Sequence, residues 1–217
     1  MEVVIFDVDN TIVNGQSSGE LVKYARDKGL ISNSTYLILI SWLILYKFGF
    51  VKDPLKPMEY GVSFIKGRRE ADIQNIINDF FETRLKNKIY TMAVDIINEH
   101  VKNNRKVILV SNAPDVVVSR VAKYLNISDF ISTKLELNSD NIYTGKIFGE
   151  IMYGNRKKEA VVNYIKKNNL EGSILWSYGD HDSDIELLSY VQKPFATNPN
   201  SKLRKHAIKN NWPILNF

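Results

Sequence analysis

Val3-Val4-Ile5-Phe6-Asp7-Val8-Asp9-Asn10-Thr11-Ile12-Val13 decides how the rest of the chain is read. Its first four residues are apolar and mostly β-branched, the signature of a buried parallel strand. The strand then runs into two carboxylates. Aspartate is a poor strand former, and two acids beside an apolar run repel each other unless a cation lies between them. Parallel α/β sheets hold their ligands just beyond the carboxyl ends of the strands, where Asp7 and Asp9 would stand. Hard oxygen donors clustered there suit Mg²⁺ better than Zn²⁺. An Asp-x-Asp pair alone also fits a solvated acidic turn, so partners further along the chain must decide.

The whole chain sets bounds. At 217 residues it can bury a full core and hold one domain with an inserted module. A hydrophobic share of 44% and a charged share of 24% are those of a globular protein. The lack of cysteine excludes disulfides and thiolate metal sites, and is compatible with a reducing, cytoplasmic setting. No basic stretch precedes an apolar one at the N-terminus, so no signal peptide is expected. A net charge of +5 admits acidic partners. Its lysines and arginines are scattered, however, with small groups at 66–69, 156–158 and 202–205 and no long run interleaved with aromatics. They read as solvated surface, and no nucleic-acid partner is expected.

Beyond the first strand, Ser17 or Ser18 can cap a helix running to Gly29. The stretch 36–46 is the most apolar of all; it is too short to span a bilayer, and a helix apolar nearly all round is usually buried. Pro54 and Pro57 mark a break, and helical patterns follow at 58–66 and 69–85. Residues 14–85 thus read as an all-helical insert. A helix over 93–103 leads to a second strand, 106–110, ending in Ser111-Asn112-Ala113-Pro114, where Pro114 suits the first turn of the next helix. Two extended segments, 130–137 and 142–147, are joined by a turn at 138–141. A helix over 156–168, a strand over 173–178 and Gly179-Asp180-His181-Asp182-Ser183-Asp184 follow. A short segment at 194–197, a helix over 201–210 and an extended tail at 212–215 end the order. Strands alternating with helices predict an α/β fold with a doubly wound parallel sheet.

Three strands therefore end in polar residues at matching places: Asp7 and Asp9, then Ser111, then Asp180 and Asp184, with Lys157 opening the helix before the last. This ordered set of D-x-D-x-T, Ser, Lys and G-D-x-x-x-D resembles the four motifs of the haloacid dehalogenase phosphatases. The helical segment after the first motif, Ile142-Tyr143-Thr144-Gly145 and the Ala196–Arg204 tail resemble its phosphoserine-phosphatase-like branch. The resemblance implies a Rossmann-like core of 1–13 and 86–217 and a helical cap of 14–85. It also implies a Mg²⁺-dependent phosphomonoesterase acting through an aspartyl-phosphate. Asp7 would be the nucleophile and Asp9 the acid and base. Asp7, the Asp9 carbonyl and Asp180 would hold the metal, with Asp184 behind them. Thr11, Ser111, Asn112 and Lys157 would hold the phosphate. Lys157 is preferred to Lys158 because Ala160, Val161 and Tyr164 follow it at helical spacing, and Asp184 to Asp182 by the family's spacing. The three histidines read as structural or solvated.

One departure bears on the substrate. Phosphoserine phosphatases carry a Glu for the substrate ammonium shortly after the first motif, where this chain has Gln16. A neutral amide gives up that ion pair. Arg68 or Arg69 is a further specificity candidate, facing a substrate carboxylate or second phosphate. The partner expected is a small phosphate ester. A lipid phosphate whose tail meets the apolar 36–46 helix is the alternative, and a non-catalytic phosphoacceptor resembling response-regulator receivers is a distant one.

Overall fold

The computed structural model describes residues 1–47 and 55–217; the side chains at 43, 44, 46 and 47 lie outside the description. β1 (Glu2–Phe6) is the middle strand of a seven-stranded sheet. It pairs in parallel with β2 (Lys106–Pro114) on one side and β5 (Ile174–Gly179) on the other. β3 (Asp129–Leu137) and β4 (Tyr143–Phe148) extend the β2 side, and β6 (Lys193–Thr197) and β7 (Ile214–Leu215) the β5 side. Among the described strands only β4 runs antiparallel, hairpinned to β3. Its turn is closed by Asn138, whose Oδ1 accepts from the N–H groups of Asp140 and Ile142, both at 3.0 Å.

Strand periodicity explains why β1 reads as continuous apolar sequence. Val3 and Ile5 face a core with Val161 and Ile165 of α7 (Asn155–Lys167) and Leu187 of α8 (Ile185–Tyr190). Val4 and Phe6 face the opposite core. That core includes Leu21 of α1 (Ser17–Asp27), Ile97 of α5 (Thr91–Lys102) and Val121 of α6 (Asp115–Tyr124). Both faces are covered, as a doubly wound sheet requires. Each large side chain so buried contributes roughly 1.5–3 kcal/mol. Between β1 and β2 the described chain is helical: α1, α2 (Asn33–Lys47), α3 (Leu55–Gly61), α4 (Glu70–Phe80) and α5. α9 (Ser201–Lys209) packs Leu203 and Ala207 beside β6.

Several boundaries differ from the sequence reading. Neither Ser17 nor Ser18 caps α1; Gln16 holds the N-cap position without a side-chain bond, and the Ser17 N–H donates to Asp9 Oδ1 at 2.9 Å. The cap comes from across the loop. β2 continues through Pro114 because it stays paired with β3, across an irregularity between Ser111 and Pro114. Pro114 is consequently the N-cap of α6 rather than part of its first turn. The 69–85 helix ends at Phe80 and gives way to a wide π-type turn, Phe81–Leu85. That turn lets the adjacent Phe80 and Phe81 both be fully buried. Pro57 lies inside α3, where the first turn needs no amide donor, and Pro54 lies outside the described residues. α2 is not enclosed: it is flanked by α1 and α3, leaving Leu37, Ile38 and Leu45 exposed. Among the described residues no helix is long and apolar enough to cross a membrane.

Candidate active site

The site lies at the carboxyl ends of β1, β2 and β5. Beyond β1 the Asp7 N–H still bonds to Tyr178 O of β5 at 2.9 Å. The N–H groups of Ile12 and Val13 then fold back onto Val8 O at 2.8 and 2.9 Å. Strand alternation buries Val8 and turns its two acidic neighbours, Asp7 and Asp9, into one cavity. The loop needs a left-handed residue, which Asn10 supplies with φ of 56°. Its amide donates to Asp180 Oδ2 at 3.0 Å, and its carbonyl accepts from Asn198 Nδ2 at 2.8 Å.

Asp180 follows Gly179, the last residue of β5. A Cβ on Gly179 would come within 2.9 Å of Asp184 Oδ2, so only glycine lets Asp184 approach the strand end. A short turn, Asp182–Asp184, carries Asp184 inward. It is capped reciprocally: His181 Nδ1 accepts from the Ser183 N–H and Asp184 Oδ2 from the His181 N–H, each at 3.2 Å. Asp182 points elsewhere, accepting from Asn200 and Lys202.

Lys157 enters from the first turn of α7. Gly154, with φ of 58° and ψ of −131°, makes the sharp entry into that helix, a conformation reserved in practice for glycine. Lys157 is 4% exposed, and its Nζ donates to Asp7 Oδ1 at 2.6 Å and to Asp184 Oδ1 at 2.7 Å. Lys158 instead lies 6.0 Å from the Tyr190 ring. On the β2 side, Ser111 Oγ accepts from the Ala113 N–H at 3.2 Å, and the Asn112 carbonyl from Thr133 at 2.8 Å. Asn112 Oδ1 and Thr11 Oγ1 are buried with no hydrogen-bond partner among the described residues.

Electrostatically the site is short of positive charge. Carboxylate oxygens of Asp7, Asp180 and Asp184 lie within 4.8 Å of one another. Burial pushes the Asp7 carboxyl up to about 7, with Lys157 pulling against it and Asp184 adding to it. Asp180 is pushed up to about 8 by burial and by the charges of Asp7 and Asp184. Asp9 is also raised by burial, against its bonds from Ser17. Burial disfavours the Lys157 ammonium, yet Asp184 and Asp7 together hold its pKa above the ordinary value. One ammonium cannot neutralise four carboxylates. Three buried hard-oxygen donors at this spacing fit a small divalent cation, which would return Asp7 and Asp180 to their charged forms.

These groups form the floor of a cavity of about 340 Å³. The structure thus brings together Asp7, Asp9, Ser111, Asn112, Lys157, Asp180 and Asp184, with Gln16 on the wall. Thr11 is buried in the loop between Asn10 and Ile12 and is not among the lining residues. Neither is Arg68, whose Nε donates to Phe64 O at 2.9 Å. Sequence reasoning missed Asn10, although an asparagine between two loop acids is the residue type that takes left-handed backbone. His181, read as structural or solvated, lines the cavity and caps the Asp182–Asp184 turn.

Comparison with known proteins places this geometry. The chain is 27% identical over 218 residues to a phosphoserine phosphatase of Mycobacterium tuberculosis, covering 98% of this chain and 70% of that one. It is 25% identical over 222 residues to a histidinol-phosphatase of Neisseria meningitidis, covering 99% and 98%. A protein of unknown function from Bordetella pertussis has the same fold, with a TM-score of 0.89 at 20% identity over 99% of this chain and 97% of that one. A substrate-bound phosphoserine phosphatase superposes with a TM-score of 0.70 at 18% identity, over 99% and 92%. Residues 4–189 match the haloacid dehalogenase-like hydrolases. The chain belongs to that family, and in sequence and fold it is similar to phosphoserine phosphatases within it.

Proposed function

We propose that the protein is a Mg²⁺-dependent phosphomonoesterase that works through an aspartyl-phosphate on Asp7 and takes a small phosphate ester. The observation that carries this reading is Lys157 Nζ, buried and bonded at 2.6 Å to Asp7 and at 2.7 Å to Asp184 on the cavity floor. An Asp7 oxygen attacks phosphorus while the bond to the ester oxygen breaks. Asp9, held by the Ser17 N–H, gives its proton to the departing oxygen. It then takes a proton from the water that hydrolyses the acyl phosphate, which frees phosphate and restores Asp7. Lys157 spreads positive charge over both nucleophile and phosphoryl group, and Asp184 keeps its ammonium aimed. In this reading Ser111 and the Asn112 amide, both on the cavity lining, hold phosphoryl oxygens. Mg²⁺ held by Asp7, Asp180 and the Asp9 carbonyl would neutralise the charge gathering on the phosphoryl oxygens. In this reading residues 14–85 act as the cap over a core of 1–13 and 86–217, with α1, α2 and α3 roofing the cavity. The cysteine-free composition fits work in the cytoplasm.

The test is phosphate release from p-nitrophenyl phosphate by the wild type and Asp7→Asn, with Mg²⁺ and with chelator. Turnover that requires the metal and vanishes in the variant is expected. Wild-type inactivity with every divalent metal, or an active Asp7→Asn, overturns the reading.

A further inference from the structure

The two ends of the cavity differ in kind. Among the described lining residues, the Asp and Lys side chains all belong to the floor: Asp7, Asp9, Lys157, Asp180 and Asp184. The roof, the lining contributed by α1, α2 and α3 and the residue after it, is mostly apolar, with Leu21, Val22, Leu39, Trp42, Met58 and Val62 against one hydroxyl, that of Ser18. Gln16 also lines the cavity, as a neutral amide. An amino-acid leaving group would bring an ammonium and a carboxylate against that roof, and burying unpaired charge on an apolar wall is strongly unfavourable.

The apolar surface also continues out of the cavity. Trp42 is half-buried on the wall, and its helical neighbours Ile38 and Leu45, four residues before it and three after, are 42% and 41% exposed. A cavity of about 340 Å³ is of a size to take a phosphate with a short hydrocarbon chain. A longer chain would emerge along the Ile38–Leu45 side of α2.

Resting on the phosphatase reading above, we infer that the substrate is a phosphate monoester of an uncharged, apolar alcohol, its hydrocarbon part clamped between the roof of α1, α2 and α3 and the catalytic floor. The polar end positions phosphorus over Asp7, and the apolar end selects the leaving group by the area it removes from water. Such selection raises the logarithm of kcat/KM in proportion to hydrocarbon length until the cavity is full.

The experiment compares kcat/KM for ethyl, butyl, hexyl and octyl phosphate with that for phosphoserine, at concentrations below micelle formation. From ethyl to hexyl the value should rise roughly three- to fourfold per methylene. Once the cavity is full the gain should shrink, and phosphoserine should fall below ethyl phosphate. In Trp42→Ala and Met58→Thr the hexyl-to-ethyl ratio should drop severalfold. That ratio does not depend on the fraction of folded enzyme, so a destabilised variant still reports. A flat chain-length series, or phosphoserine preferred to hexyl phosphate, overturns the inference while leaving the phosphatase reading intact. No turnover of any ester, p-nitrophenyl phosphate included, strikes the phosphatase reading itself.

Discussion

His100 shows how far a single buried residue can tie stability to pH. It is 3% exposed, packed edge-on to Phe6, Trp176 and Tyr178. Arg105 has only donors, so its Nη1 must donate to His100 Nδ1 at 3.1 Å. The ring proton therefore sits on Nε2 and is donated to Tyr178 Oη at 2.9 Å. Burial first, and the Arg105 charge second, push the imidazole down to about 4. Because the folded value is depressed, the unfolded chain binds the extra proton between pH 6.5 and about 4, and stability is lost as pH falls through that window. Between about pH 7 and 5 the wild type should lose about 2 kcal/mol more than His100→Gln, measured by urea unfolding. Asp7 and Asp180 titrate in both proteins and cancel in the difference. Equal losses would show that His100 is already free to take up a proton in the fold.

Elements, rather than residues, decide how the acidic loop after β5 is held. Asn200 caps α9 through Oδ1, which accepts from the Leu203 N–H at 2.9 Å. Its amide also donates to Asp182 Oδ1 at 2.6 Å, and its N–H to Asp180 O at 2.8 Å. One helix start thus anchors the loop that carries Asp180 and Asp184. Asn200→Ala should cost about 1 kcal/mol by loss of the cap. It should also weaken Mg²⁺ activation, read as a higher half-saturating Mg²⁺ concentration; an unchanged metal requirement would separate the anchor from the site. This coupling was not legible in the sequence, because it joins residues about twenty positions apart through a turn. The strands were legible, since Val3–Phe6 and the run before Ser111 are apolar on both faces as only a covered parallel sheet demands. Helix ends were less so. The start of α1 depends on Asp9 reaching back across a loop, and the π-type turn after α4 on two adjacent phenylalanines finding the same core.

For the whole molecule, Asp7, Asp9, Ser111, Lys157, Asp180 and Asp184 line one cavity because three strand ends meet at one edge of the sheet. Arg68 carried no such constraint, and its side chain turns to Phe64 O instead. The cost of assembling that edge is a cluster of buried carboxylates. Asp7 and Asp180 have folded values of about 7 and about 8 against an ordinary aspartate value of 3.8, so without metal stability declines as pH rises through that range. Mg²⁺ competes with those protons and should stabilise more at about pH 8.5 than at about pH 6. At a hundredfold excess over its dissociation constant, linkage supplies about 3 kcal/mol. For 217 residues that is a rise in Tm of roughly 5–10 °C. An increment independent of pH would place the ion elsewhere.

The central claim is that Asp7 carries the phosphoryl group. Its most direct test is the mass of Asp9→Asn after mixing with p-nitrophenyl phosphate and Mg²⁺. The p-nitrophenolate needs no proton to depart, so the first transfer proceeds, while hydrolysis lacks its base and the phosphoenzyme accumulates. We predict a gain of one phosphoryl group, located by peptide mapping on Asp7. Release of phosphate with no phosphoryl group on the peptide that contains Asp7 would contradict the account.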